Sequence, residues 1–226
     1  MSPTTRVFVP AVALLAALLL AGCPRSTPVP PTATPATIAA TPTPEGWVQH
    51  SGADLTIWLP KDWEVLDPGQ GDLQTIFDDF RKSNPGLARI IGSADALQGV
   101  ALWAFKTGNP DAVFVDNMNI RRTPLGAQKI EKMQDVVGPV LDQYRQLGFE
   151  IGKSEADLRI GGHPAAHITY SFQLAGSDGK PTRLNGSQYL VATPTDLWFL
   201  TFSAAPGNET ILAPIFEQSA QSFSIK

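Results

Sequence analysis

The chain has 226 residues, 43% hydrophobic and 17% charged, with 17 basic side chains against 21 acidic ones and a single cysteine. A net charge of −4, without clustered Lys and Arg to neutralise phosphates, excludes nucleic acid as an expected partner. One cysteine cannot form an internal disulfide, so stability must come from an ordinary hydrophobic core.

The chain opens with Arg6, an apolar run from Val7 to Leu20, and then Ala21-Gly22-Cys23. A positive residue, a short apolar stretch and small residues before a cut make a secretory signal. A membrane span needs about 20 apolar residues; this run is shorter and contains Pro10. Leu20-Ala21-Gly22-Cys23 resembles the lipobox of bacterial lipoproteins. The resemblance implies that residues 1–22 are removed as a signal peptide and that Cys23 becomes the lipidated amino terminus. The chain is then anchored to the cell membrane and faces the extracytoplasmic side. An uncleaved amino-terminal anchor is the alternative, and it also puts the remainder outside the cytoplasm. The acidic balance gives no attraction to anionic lipid, so acyl chains must hold the molecule, and two or more hold firmly where one does not.

Residues 23–45 are rich in Pro, Thr and Ala and poor in bulky side chains. Such a segment buries too little apolar surface to offset its ordering entropy. Its prolines favour an extended tether rising about 3.1 Å per residue. Residues 46–226 are long enough for one domain with a full core.

Leu55, Ile57 and Leu59 alternate with Thr56 and Trp58 and end at Pro60, which predicts a strand. Leu73, Ile76, Phe77 and Phe80 fall at i, i+3, i+4 and i+7, giving an amphipathic helix over Asp72 to Lys82. Asn84-Pro85 reads as an N-cap with proline in the first helical position. The stripe Leu87, Ile90, Ile91, Ala94 and Leu97 extends that second helix to Gly99. Val100 to Lys106 and Val113 to Ile120 read as strands joined through Thr107-Gly108-Asn109-Pro110.

A long helix follows, with Ile130, Met133, Val137, Val140, Leu141, Tyr144 and Leu147 on one face. Its apolar register carries across Gly138-Pro139, which predicts a kink within one helix. From Phe149 the period changes to two. Ile168, Tyr170, Phe172 and Leu174 alternate with polar residues, Gly176-Ser177-Asp178-Gly179 turns the chain, and Arg183 to Val191 returns. Trp198, Leu200 and Phe202 follow in a third strand, predicting an antiparallel meander with one buried face. Ile211, Leu212, Ile215, Phe216 and Ser219 form a last helix with Asn208 near its start and Pro214 inside, and Ser222 to Ile225 close the chain. No period of 20 to 50 residues marks a solenoid.

The order of these elements resembles the PsbP-like fold of extrinsic photosystem II proteins, DcrB-type bacterial lipoproteins and a Ran-binding nuclear import factor. The features that carry the resemblance are the opening strand Leu55-Thr56-Ile57-Trp58-Leu59-Pro60 with its exit Lys61-Asp62-Trp63, and the turn Ile160-Gly161-Gly162-His163-Pro164. The hairpin of Tyr189-Leu190-Val191 with Trp198 to Phe202 and the final helix ending at Ser222-Phe223 complete them. The resemblance spans nearly all of residues 46–226. It implies an α+β class: an antiparallel sheet with helices on both faces, an α/β/α sandwich. It implies no shared activity, because that fold carries accessory and binding proteins with different partners.

No complete catalytic constellation is legible. A serine hydrolase needs a nucleophile on a strained turn, a His base and an orienting acid. Asn185-Gly186-Ser187-Gln188-Tyr189 is the nearest string and lacks the second glycine. Gly69-Gln70-Gly71 is too short for a phosphate loop. His163 and His167 are candidate metal ligands, with His50 as a third, but on a strand four residues span about 13 Å, too far to share one ion comfortably. Asp78-Asp79 read as a solvated helix face. Arg121-Arg122 are candidates for an anion, and Trp47 and Trp63 for a ligand-facing surface. The expectation is a non-enzymatic accessory or protein-interaction module of the cell envelope, without cofactor or metal, meeting an envelope protein partner. The alternative is a small-ligand or metal-ion binding protein.

Overall fold

The computed structural model describes residues 45–85, 88, 91–108, 114–175 and 181–226. The signal segment, Cys23, nearly all of the tether and the Gly176–Gly179 turn lie outside the described residues.

Among the described residues ten strands form two antiparallel sheets. The larger comprises β3 (Trp63–Leu66), β4 (Val100–Lys106), β5 (Asn117–Pro124), β6 (Glu150–Ile160), β7 (His163–Ala175), β8 (Pro181–Ala192) and β9 (Asp196–Ala204), in the spatial order β3-β4-β5-β9-β8-β7-β6. The smaller is β1 (Trp47–Ser51), β2 (Leu55–Pro60) and β10 (Ser224–Ile225), with β2 in the middle. The numbered helices are α1 (Leu73–Ser83), α2 (Gln134–Gln146) and α3 (Glu209–Gln221). Helices do cover both faces of the large sheet, as the resemblance implies. The separate small sheet is an addition: the opening strand and the chain's last residues pair with each other, Thr56 opposite Ser224 and Leu55 opposite Ile225.

The small sheet and α3 share one face of the large sheet. Leu55, Ile57 and Leu59 of β2, all at most 1% exposed, pack with Leu212 and Phe216 of α3 over Leu200 and Phe202 of β9. On the opposite face α2 lays Val136, Val137, Val140 and Tyr144 against Ile168, Tyr170 and Leu190. Beside it Phe77 and Phe80 of α1 cover Trp103 and Phe105 of β4. The meander is therefore buried on both faces, not one. Tyr189 and Val191 face α3, while Leu190 and Ala192 face α2. The unbroken run Tyr189-Leu190-Val191-Ala192 is the sequence mark of a strand covered on both sides.

Two boundaries differ from expectation. The helix expected from Pro85 to Gly99 does not reach Gly99, because Gly92 takes the left-handed backbone (φ 86°). A separate 3-10 turn then spans Ala94–Leu97. The strand expected from Val113 begins at Asn117 instead. Residues 109–113, including Asn109 and Pro110 of the turn before it, are outside the described residues. Helix α2 runs through Gly138-Pro139 as one element, and α1 is capped by the Asp72 carboxylate, which accepts from the Thr75 amide at 2.9 Å. Asn208, expected to start the last helix, does so without a side-chain cap. It donates instead to the buried Asp116 carboxylate (2.8 Å), which also accepts from the Ala205 amide and so pins the β9–α3 connection.

Candidate functional site

Antiparallel pairing sets Ser187 opposite Thr169 and Tyr189 opposite His167. Alternation then puts His167, Thr169 and Ser171 of β7 on the same face as Arg183, Asn185 and Ser187 of β8. Helix α3 covers the β9 side of this face and leaves the β6–β7 side open. The result is a cleft of about 690 Å³ with a polar floor and a wall of Thr210, Ala213, Pro214 and Glu217 from α3.

At its centre, His167 Nε2 and Ser187 Oγ lie 2.7 Å apart. The imidazole stacks flat on Tyr189, centroids 4.2 Å apart and planes within 3°. Burial lowers the His167 pKa, against a smaller opposing pull from Glu155, so the ring is held neutral. Burial likewise raises the Tyr189 hydroxyl, helped by the Glu217 carboxylate. The sequence did not bring His167 and Ser187 together. They belong to strands whose register is fixed by packing, and their shared face follows only once β7 and β8 are paired in that register.

The neutral His167 makes a titration prediction. Below its ordinary value of 6.5 the unfolded chain takes up a proton that the folded chain refuses, so stability must fall as pH drops through that range. His50, also lowered by burial, contributes with the same sign. Urea midpoints measured from pH 7.5 to about 5 should therefore fall, and fall less steeply in His167→Gln. Equal slopes would assign the acid sensitivity to other groups.

A second cavity, about 650 Å³, lies on the other face between α2 and β6, bounded by Val137, Gly138 and Leu141 and by Ser154 to Leu158. Strand β6 is the edge of the large sheet and has a cavity on either side. Its ladder with β7 is interrupted twice, between Ile151 and Ser154 and between Glu155 and Leu158.

The other candidates have internal roles. Arg122 does not offer a free anion site. Its guanidinium grips the buried Asp196 through two bonds (2.7 and 3.1 Å), meets Asp54 at 2.6 Å and lies over the Trp198 ring. The Arg122 guanidinium, with further help from Thr195, holds the Asp196 carboxyl below the usual carboxylate range. Arg121 donates to the carbonyls of Gln98 and Ala96. Trp63 is a core residue, 5% exposed and edge-on to Phe216, so its ligand-facing role is withdrawn. Trp47 is half-buried on β1 and lines neither cavity. Asp78 and Asp79 pair with Arg81 and Lys82 along the solvated side of α1. His163 and His167 sit on one strand, and among the described residues no group of three or more His, Cys, Asp or Glu is placed to hold a metal. No helix among the described residues is long and apolar enough to cross a membrane.

No protein-family model matches the sequence, and no curated protein matches it. Among solved structures the chain is similar to cyanobacterial PsbP from Synechocystis, with 14% identity and a TM-score of 0.48, over 81% of this chain and 95% of that one. It is similar also to LpqN of Mycobacterium tuberculosis, described as involved in cell envelope biogenesis, with 13% identity and a TM-score of 0.49, over 80% and 90% of the two chains. A Pseudomonas aeruginosa protein of unknown function gives 21% identity and a TM-score of 0.40, over 48% of this chain and 71% of that one. The opening strand, glycine turn, hairpin and final helix that carry the PsbP-like resemblance in the sequence all stand in this structure in that order.

Proposed function

We propose that this chain is a membrane-tethered extracytoplasmic lipoprotein whose globular domain is a non-catalytic interaction module for another envelope protein. Cys23 supplies the anchor and residues 23–45 the reach. The observation that carries the interaction reading is the exposed edge strand β6 with an open cavity on each of its faces. Ser187 stands in mid-strand, not on the strained turn that presents a serine nucleophile, which favours binding over turnover.

The test is site-specific photo-cross-linking of the full chain in its native host. Probes at Ser154 and Thr210, one in each cavity lining, should give a discrete adduct, while a probe at Lys82 on α1 should not. Absence of adducts from both cavities, or the same adduct from Lys82, overturns the reading. Cys23→Ser should shift the chain from the membrane to the soluble fraction, and its retention as an acylated species would sink the anchor. The small-ligand reading is favoured by one observation, the His167–Ser187 pair at the base of the first cleft. Native mass spectrometry distinguishes the two, since a stoichiometric copurifying molecule would select the ligand reading.

A further inference from the structure

We infer that the partner engages this domain as a short, extended, basic segment of polypeptide that adds to the sheet along β6. The inference rests on the interaction-module reading and assigns that reading a site and a partner chemistry.

An edge strand presents backbone N–H and C=O groups on its unpaired side. An added strand satisfies them, while its side chains project alternately to the two faces of the sheet. Here the cleft under α3 borders β6 at Glu150 to Gly152 and the hollow beside α2 borders it at Ser154 to Leu158, so an added strand meets one hollow near one end and the other near its opposite end. The interruptions of the β6–β7 ladder set the length of the occupant. Bulged, short runs oppose the open-ended edge pairing that leads to aggregation and leave room for a brief segment.

Charge selects its chemistry. The hollow beside α2 is lined by Asp157 and by no Lys or Arg, whereas Glu155 stands opposite His167 and shares its face of the sheet. Lys153, next to it on β6, is paired with Glu155 at 2.7 Å. The cleft under α3 is lined by Glu150, Glu209 and Glu217, with Arg183 as its basic residue, and Arg183 is already bound to Glu150 at 2.7 Å. Asp157 and Glu217 accept from the amides of Gln134 and Gln221, at 3.0 and 3.1 Å, and neither is ion-paired among the described residues; Arg159, two residues from Asp157, is engaged by the Gly162 carbonyl. His167, the titratable group on the cleft floor, is held neutral and does not offset them. Lys or Arg side chains toward both ends of an added strand would neutralise both hollows, and their long apolar stems would lie along Leu141 on one face and Ala213 on the other.

The experiment selects a phage-displayed library of random nine-residue peptides on the purified full chain in detergent. Enriched peptides should carry at least two Lys or Arg and lack proline in their centres. A synthetic enriched peptide should slow hydrogen exchange of the β6 amides and lose about tenfold in affinity against either Asp157→Lys or Glu217→Lys. Both positions are exposed, and an unchanged thermal midpoint checks that each variant is folded. Enrichment of acidic or proline-centred peptides, no enrichment at all, or binding that leaves β6 exchange unaltered overturns the inference. Cross-links from Ser154 and Thr210 alongside such a failure would leave the interaction module standing and remove only this mode of engagement.

Discussion

Phe216→Ala should destabilise the domain by about 4 kcal/mol, read as a fall in the urea midpoint with an unchanged slope. Phe216 is 3% exposed and joins three bodies. It stacks on Phe202 of the large sheet at 4.9 Å and takes the edge of Trp63 at 6.4 Å, and its neighbours include Leu55, Ile57 and Leu59 of the small sheet. Truncation loses the transfer energy of the ring and leaves a void that surrounding strands cannot fill, because both sheets are held by their own ladders. Ile211 supplies the control. It lies on the same helix but is 66% exposed, and Ile211→Ala should change stability by no more than about 0.5 kcal/mol. A loss of less than about 1 kcal/mol for Phe216→Ala would mean that α3 does not hold the two sheets together.

Gly186→Ala should cost about 3 kcal/mol by overpacking, although it adds a single methyl group. A Cβ at Gly186 would fall 2.3 Å from the ring of Tyr170, its partner across the β7–β8 ladder. That ring cannot retreat. It stands within an aromatic cluster, 4.8 Å from Tyr144 and 5.3 Å from Phe149 by centroids. Tyr144 is itself fixed by donating its hydroxyl to Gln188 at 2.7 Å. The same substitution at Gly138 should have the opposite sign. Gly138 is inside α2, and nothing lies within 4 Å of its added Cβ, so Ala there should stabilise by about 0.5–1 kcal/mol. Thermal midpoints of the two variants should therefore move in opposite directions. A neutral Gly186→Ala would show that the Tyr170 ring is free to move.

The elements legible in the sequence are those whose signal is local. Leu55, Ile57 and Leu59 announce a strand through alternation alone. Leu73, Ile76, Phe77 and Phe80 announce α1 through their helical spacing. The glycine at 186 was legible only as part of a weak serine string, since its reason for being glycine is the ring of a residue sixteen positions earlier. The second sheet was illegible for the same cause: Ser224 and Thr56 carry no mark that they pair. Gly92 gives no warning of the break it makes, because Ala94 and Leu97 continue the apolar period while the backbone there turns left-handed. At the cleft, Ser187 and His167 were each visible and each set aside, and only the register of β7 against β8 makes them neighbours. Arg122 looked available because its acceptors, Asp54 and Asp196, are distant in sequence.

The closure of β10 onto β2 also bears on when this domain can fold. Leu55, Ile57 and Leu59 are sheltered by α3 and Phe223, and the β2 ladder is completed by Ser224 and Ile225. A polypeptide delivered amino end first must hold these apolar side chains uncovered until its final residues emerge, since contacts this remote in sequence form late. Ser224 and Ile225 thus work as a latch on a cover that cannot shut before they are in place.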